Sequence, residues 1–492
     1  MNSNLVRTVG SYLYIPQDYI PDPKMLLGWS QKKGNPTIVA EDNLVNRIVL
    51  GMPPSDLQVQ PLEFPDDDRL EEYQKRDVAK MALLGNCLNL NRMGLGKTVE
   101  TIKALQQRSC TDIVILAPKP VCSQWADQIK VWWPERSDDV GLFDLKKPIK
   151  ILNYEKLLQT AAIYRLRGTR HDAVVFDEVH LLKNKDSKRT IASKSIPAGV
   201  HIGLSGTPIL NKPDDLWSLL NSVDWRYSGK SYWAFVNYFC DVELGQFGRT
   251  IKGVTKDPAR LAILHKLLEL VSIYNDIQVA PGKRRIEVNL EMGAKQKKLY
   301  KQIKDLVFEE LPENCTISNG AVLAMRLQQT TSWPELFVED CPGAKFEWIE
   351  NFCSSTNEQV VIMTRFERTA EALAKYLNKH KIISLTYTGK KSSHELQDAK
   401  NMFIKGKIQV LIGTISAMGT GVDGLQVARL GIMVERSWSP EINAQCEDRL
   451  NRRGQENPVV WYYLNCAKTF DKHVDKVNLD KADSIRAVLE MD

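Results

Sequence analysis

Asn91-Arg-Met-Gly-Leu-Gly-Lys-Thr98 follows the apolar run Cys87-Leu88-Asn89-Leu90 and opens a helical pattern that continues to Gln107. The run reads as a buried strand. Gly94 and Gly96 let the backbone turn tightly with its N–H groups aimed inward, and the start of the following helix attracts anions. Lys97 would then reach the β- and γ-phosphates of a nucleotide, and the Thr98 hydroxyl would hold Mg²⁺. Glycine-rich turns also precede helices that bind nothing, and the general phosphate-loop pattern has a small residue where Asn91 stands, so the rest of the chain has to decide the matter.

The neighbouring sequence supplies a parallel sheet around this loop. Asp112–Pro118 reads as a strand, 121–133 as a helix, 149–153 as a strand, 155–165 as a helix, and 173–180 as a strand ending in Asp177-Glu178. Regular strand–helix alternation builds a parallel sheet covered by helices, and ligands of such sheets sit at the carboxyl ends of the strands. Two acids at one strand end point in different directions. Asp177 would hold the magnesium ion, and Glu178 would position the attacking water. A further strand, 200–204, ends in Ser205-Gly206-Thr207, which is either an ordinary turn or a sensor of the nucleotide's state.

Upstream, residues 1–65 carry short apolar and aromatic pieces broken by prolines, an accessory domain or arm whose role the sequence leaves unread. Asp66-Asp67-Asp68 marks a boundary before an amphipathic helix that begins near Tyr73 and Gln74. Between about 209 and 340 the strand–helix rhythm stops and the pattern turns mostly helical. Aromatics cluster from Trp225 to Phe239. The basic groups Lys283-Arg284-Arg285 and Lys295, Lys297, Lys298 and Lys301 read either as a solvated helical surface or as contacts to duplex phosphates. A second strand–helix series runs from 359 to 434 without a phosphate loop of its own. It carries a glycine-rich turn, 413–421, and then a helix from Pro440 on which Gln445, Arg449 and Arg452 would lie. Arg449 and Arg452, three apart, would share a helical face. They are either solvated charge or arginine fingers reaching across a cleft to the γ-phosphate.

Composition narrows the class. The 492 residues suffice for about three domains, or for two large lobes with insertions. Lys plus Arg less Asp plus Glu gives 66 − 60 = +6, mild enough to permit a nucleic-acid partner without requiring one. The nine cysteines include no Cys-x-x-Cys pair, which argues against structural zinc and against a disulfide framework. No secretion signal and no run of about 18 apolar residues is present, so a membrane partner is not expected.

The ordered pieces resemble the Swi/Snf-type ATPases of helicase superfamily II, double-stranded DNA translocases that include chromatin remodellers and annealing helicases. The likeness runs from about Leu70 to Leu464. Leu70 to Gln74 is similar to the family's glutamine motif, which implies that Gln74 reads adenine. Met93 to Thr98 matches its phosphate loop, and Asp177-Glu-Val-His180 with Leu182-Lys-Asn184 matches its acidic box. Gly206 to Asn211 with Leu216 to Leu220 resembles a run specific to the Swi/Snf branch. Met325 to Leu336 and Gly343-Ala-Lys345 are similar to stretches that open the second lobe, and Gln445 to Gln455 matches the final motif. Two departures stand out. Asn91-Arg92 replaces the family's usual Asp-Glu, and Asp423 falls where the family commonly has Asn, a negative charge that would repel DNA phosphate.

The resemblance implies an α/β fold of two RecA-like parallel-sheet lobes with a helical insertion and a small N-terminal accessory region. The expected segments are 1–65, 66–222 for the first lobe, 223–342 for the insertion, 343–470 for the second lobe and 471–492 for a helical tail. ATP and Mg²⁺ are the implied cofactors. Gln74, Gly94, Gly96, Lys97, Thr98, Asp177 and Gln445 are the implied nucleotide contacts, with Thr98 and Asp177 on the metal. Lys97, Glu178, Arg449 and Arg452 are the implied catalytic groups, and Ser205, Gly206, Thr207, Gly419 and Gly421 the implied relays between hydrolysis and DNA grip. The expected partners are double-stranded or branched DNA, with replication, recombination or repair proteins. Three functions follow: an ATP-driven duplex translocase that remodels DNA or its bound proteins, a strand-separating or branch-migrating helicase, and a DNA-binding scaffold whose ATPase has decayed. Because the 28 residues after Leu464 show no chromatin-reading module, a compact bacterial or bacteriophage motor is expected, cytoplasmic in a bacterium or infected host, or nuclear in a eukaryote.

Overall fold

The structure is a computed structural model. It describes residues 6–478 apart from 18–19, 21, 32–36, 54–62, 207–212, 246–247, 276, 278–279, 311–316, 420–421 and 475–477. The chain divides into two compact units, Met1–Ile277 and Gln278–Ala482.

In the first unit β1 (Arg7–Val9), β2 (Tyr12–Pro16) and β3 (Thr37–Glu41) form a small antiparallel sheet over a core that includes Leu13, Ile15, Leu26 and Ile38. The main sheet uses β4 (Cys87–Asn89), β5 (Ile113–Ala117), β6 (Val140–Leu142), β7 (Ile149–Asn153), β8 (His171–Asp177) and β9 (Ala198–Leu204). A two-stranded hairpin, β10 (Cys240–Gly245) and β11 (Gly248–Val254), stands apart from it, and β12 (Ser272–Ile273) closes one edge. The order is β12-β4-β9-β8-β5-β7-β6, with every pairing parallel. Strands buried on both faces alternate their side chains between two cores. Val114, Leu116, Val174 and Phe176 enter one core, while Ile113, Ile115, Ala173 and Val175 enter the other.

The second unit repeats the plan with β13 (Lys283–Leu290), β14 (Val360–Thr364), β15 (Ser384–Tyr387), β16 (Val410–Thr414), β17 (Leu430–Met433) and β18 (Val459–Cys466). Their order is β13-β18-β17-β14-β16-β15, again all parallel. Val361 and Met363 face one core, and Val360 and Ile362 face the other.

Two readings of the sequence need correction. The stretch expected as one helical insertion gives β12 to the first sheet and β13 to the second, and it also contains the β10–β11 hairpin. Lys283-Arg284-Arg285 lies on β13, not on a helix. Lys283 and Arg285 are held by the fully buried Glu447, with Lys283 Nζ 2.7 Å from Oε2 and Arg285 Nε 2.6 Å from Oε1. The buried Glu447 carboxylate needs partners, and the half-buried Lys283 and the exposed Arg285 supply them from β13. The Pro440 helix also ends early, at Glu447, where main-chain bonds of i to i+3 type take over. Arg449 and Arg452 therefore lie beyond the helix and do not share a helical face. No helix among the described residues is long and apolar enough to cross a membrane. Eight cysteines are described, and all are buried and free of disulfides.

Candidate nucleotide site and its relays

The phosphate loop leaves β4 and enters the helix Lys97–Gln107 through Gly96, whose φ of 93° is left-handed. A side chain there would also collide, since a Cβ would stand 2.4 Å from Gln74 Nε2. Gly94, at φ 85°, makes the preceding turn. Gln74 Nε2 donates to the Leu95 carbonyl at 3.0 Å and Tyr73 Oη donates to the same oxygen at 2.9 Å. Gln74 Oε1 accepts from the Glu71 N–H at 3.1 Å. The glutamine thus braces the phosphate loop from behind.

Lys97 Nζ donates to the main-chain carbonyls of Asn91 (2.8 Å) and Arg92 (3.2 Å). Nucleotide phosphate would replace these neutral acceptors with charged ones, a stronger partner for an ammonium. Thr98 follows on the first turn of the helix, partly exposed. Behind the loop the Asn91 side chain fills a gap between two buried acids. Its Nδ2 donates to Asp77 Oδ2 at 2.7 Å and to Glu100 Oε2 at 3.1 Å, and Asn89 Nδ2 donates to Glu100 Oε2 at 2.7 Å. Asn275 Nδ2 adds bonds to Asp77 Oδ2 (2.7 Å) and to Asn91 Oδ1 (3.0 Å). Burial, and next the charge of Asp77, push the Glu100 carboxyl up to about 8. An aspartate at position 91 would bring a third carboxylate here. Asn91 is therefore the residue these neighbours require.

Asp177 closes β8, 9 % exposed, with Oδ2 accepting from Trp125 Nε1 at 2.7 Å and Oδ1 from the Glu178 N–H at 2.9 Å. Burial first, then the adjacent Glu178 charge, raises its pKa. A cation would reverse that cost, and the Thr98 hydroxyl with the Asp177 carboxylate is a hard-oxygen pair of the kind Mg²⁺ takes alongside nucleotide phosphates. Such a site needs few protein ligands of its own. Glu178 adopts a left-handed φ of 51°.

His180 Nδ1 lies 3.1 Å from Glu178 Oε2 and 3.1 Å from Ser205 Oγ. Ser205 is fully buried, and its N–H donates to the Asn89 carbonyl at 3.0 Å. A Cβ on Gly206 would stand 2.7 Å from Met93 Cγ and 3.3 Å from Lys97 Nζ. Loop, acids and Ser205-Gly206 are thus brought into one constellation, with His180 as its bridge. Trp125 is a contact that sequence reasoning did not single out, and His180, quoted there as part of the acidic box, was given no role of its own. Thr207 lies outside the described residues.

In the second unit Gln445 is buried on the helix Pro440–Glu447. Arg449, 5 % exposed, donates to the Gly419 carbonyl from Nη2 (2.7 Å) and Nε (3.2 Å), so two of the expected residues meet. Arg452 pairs with Asp423. The acid that departs from the family pattern is thereby neutralised by an arginine of the same unit, and does not stand as a bare charge. Gly421 lies outside the described residues.

The chain is similar to known proteins over most of its length. The SNF2-related domain family matches residues 73–335, more than half of the chain, and the helicase conserved C-terminal domain matches 344–454. A Caenorhabditis elegans protein, the SWI/SNF-related matrix-associated actin-dependent regulator of chromatin subfamily A-like protein 1 homolog, is 26% identical over 82% of this chain and 59% of its own length. An uncharacterized ATP-dependent helicase of Mycoplasma pneumoniae is 24% identical over 98% of this chain and 48% of its own. The chain spans about half the length of the curated relatives it matches. Among solved structures, a Sulfolobus solfataricus SWI2/SNF2 ATPase core in complex with dsDNA covers 88% of this chain and 100% of its own, at 20% identity and a TM-score of 0.40.

Proposed function

This chain belongs to the SNF2-related family of superfamily II ATPases, and from that premise we propose that it hydrolyses ATP and uses the energy to translocate on double-stranded or branched DNA, remodelling the DNA or the proteins bound to it. The observation that carries this reading is the single constellation of Lys97, Gly206, Ser205, His180 and Glu178. A lysine that greets phosphate, an acid that orients water and a histidine that links that acid to a second loop are what a motor needs if the state of its nucleotide is to be felt elsewhere in the fold.

Each residue has a role in this reading. Lys97 and the N–H groups of the loop bind the β- and γ-phosphates. Thr98 and Asp177 would hold Mg²⁺, which supplies charge neutralisation between those phosphates when bound. Glu178 orients the attacking water and accepts its proton, while Gln74 braces the loop and Gln445 contributes to nucleotide binding. Arg449 and Arg452 supply positive charge to the γ-phosphate during hydrolysis. Arg452 must first leave Asp423. Ser205, Gly206, Thr207, Gly419 and Gly421 pass the result to the DNA grip.

The finer reading is a compact bacterial or bacteriophage member working beside replication, recombination or repair proteins in a bacterial cytoplasm. Stimulation of ATPase that depends on histones would overturn it and favour a nuclear setting. The test of the main reading is ATP hydrolysis with and without duplex DNA in the wild type and in Lys97→Ala. Hydrolysis that rises with duplex and vanishes in the variant is expected. DNA binding without hydrolysis, unchanged in the variant, would leave the scaffold with a decayed ATPase.

A further inference from the structure

The β10–β11 hairpin is unlike every other strand pair in the first unit. It joins neither sheet of that unit, and both arms are exposed over their outer halves. Its inner end packs beside the helix Tyr232–Phe239, the support a two-stranded hairpin needs, and its outer end stays open. At its outer end Leu244, paired across the hairpin with Arg249, is 80% exposed. It is the most exposed large hydrophobic side chain among the described residues, and its burial against a partner would be favourable.

The surface beside it has a distinct chemistry. Trp217, Tyr232 and Trp233 form a row of rings, with centroids 5.5 Å and 5.2 Å apart. Each ring carries a cation, namely Lys194 at 5.3 Å from Trp217, Lys185 at 5.3 Å from Tyr232 and Arg249 at 4.9 Å from Trp233. The row ends at the surface on Trp233, 42% exposed. Glu243 and Lys252 neutralise one another at 2.8 Å, and no carboxylate among the described residues pairs with Arg249. The outer hairpin therefore presents a positive guanidinium, an aromatic face and a protruding leucine together.

We infer that this hairpin and Trp233 form a contact for DNA at a junction between paired and unpaired strands. Unstacked bases find a platform on an aromatic ring, a guanidinium meets the adjoining phosphate, and an apolar side chain wedges between base steps. Intact duplex hides its base faces unless a step is first unstacked, at a cost of a few kcal/mol, so Leu244 and Trp233 add least there. The inference rests on the reading of this chain as a DNA motor and selects within it, favouring forks and branched junctions over plain duplex.

The test is the affinity of the full chain for a forked DNA and for a linear duplex of equal length, by fluorescence anisotropy, in the wild type and in Leu244→Ser, Trp233→Ala and Arg249→Glu. Hydrolysis is not needed for this readout. The wild type is expected to favour the fork by about tenfold, the size of one base–aromatic stack, with each variant losing most of that preference, Leu244→Ser and Trp233→Ala keeping their duplex affinity within about twofold and Arg249→Glu weakening duplex binding as well. Leu244 is too exposed for its replacement to unfold the unit, so Leu244→Ser stands even if Trp233→Ala proves unstable. A wild type with no preference, or variants that keep it, overturns the inference and leaves the hairpin as a surface for a protein partner. A parallel ATPase assay separates the two levels. Absence of stimulation by any DNA strikes the motor reading, whereas duplex stimulation with unchanged fork preference in the variants strikes the hairpin alone.

Discussion

Glu100 is fully buried behind the phosphate loop, where burial and Asp77 raise its carboxyl to about 8 from an ordinary 4.5. A carboxyl that holds its proton more tightly folded than unfolded stabilises the fold below its unfolded pKa, and that contribution is lost as the pH rises through the folded value. Wild-type stability is therefore expected to fall between about pH 4.5 and 8 and to level off above that. Glu100→Gln, which keeps an acceptor for Asn89 and Asn91, should melt close to wild type near pH 4.5 and several degrees higher at pH 8. A difference that stays constant across this range would show that Glu100 is not the group responsible. Asn91→Asp should weaken ATP binding by about tenfold, since a carboxylate beside Asp77 and Glu100 loses donor bonds and adds repulsion, and adding Glu100→Gln should restore most of it. Equal losses in the single and double variants would contradict this pairing. At the same scale, Lys97, Asp177 and Glu178 were legible because their chemistry lies in short local patterns. His180, Trp125 and Asn275 act on residues 25, 52 and 184 positions away, and no local pattern carries such a meeting.

Elements were legible where one period ruled. The strands β5, β7, β14 and β16 are short apolar runs buried on every residue, and the helix Glu367–Lys379 has a single apolar stripe. The edge strand β13 hid behind Lys283 and Arg285, whose partner Glu447 lies more than 160 positions away. The early end of the Pro440 helix was hidden too, because Arg449 turns back to the Gly419 carbonyl. β18 carries Trp461, wholly buried beside β17. Trp461→Ala is expected to destabilise the second unit by about 3–5 kcal/mol, read as a lower urea midpoint with an unchanged slope, and a loss below about 1 kcal/mol would mean that the site collapses around the gap. Releasing Arg452 from Asp423 is a change of one turn against another. Asp423→Asn should raise kcat for ATP with little change in KM, and a fall in kcat would mean that the pair holds Arg452 in its working position.

For the molecule as a whole, two parallel-sheet units could be foreseen from the recurrence of strand–helix alternation, and the family from the order of motifs spread through both. The β10–β11 hairpin could not, because its sequence, Cys-Asp-Val-Glu-Leu-Gly followed by Gly-Arg-Thr-Ile-Lys-Gly-Val, lacks strict alternation and pairs with no sheet. What joins the parts into a motor is the claim that hydrolysis in the first unit answers to DNA. The most direct measurement is the steady-state ATPase rate of the full chain with no nucleic acid, single-stranded DNA, linear duplex and a forked junction, each repeated with Glu178→Gln. Stimulation of at least tenfold by duplex or fork, abolished in Glu178→Gln while ATP still binds, is the expected result. A rate indifferent to every DNA, or one that Glu178→Gln leaves intact, would contradict the account.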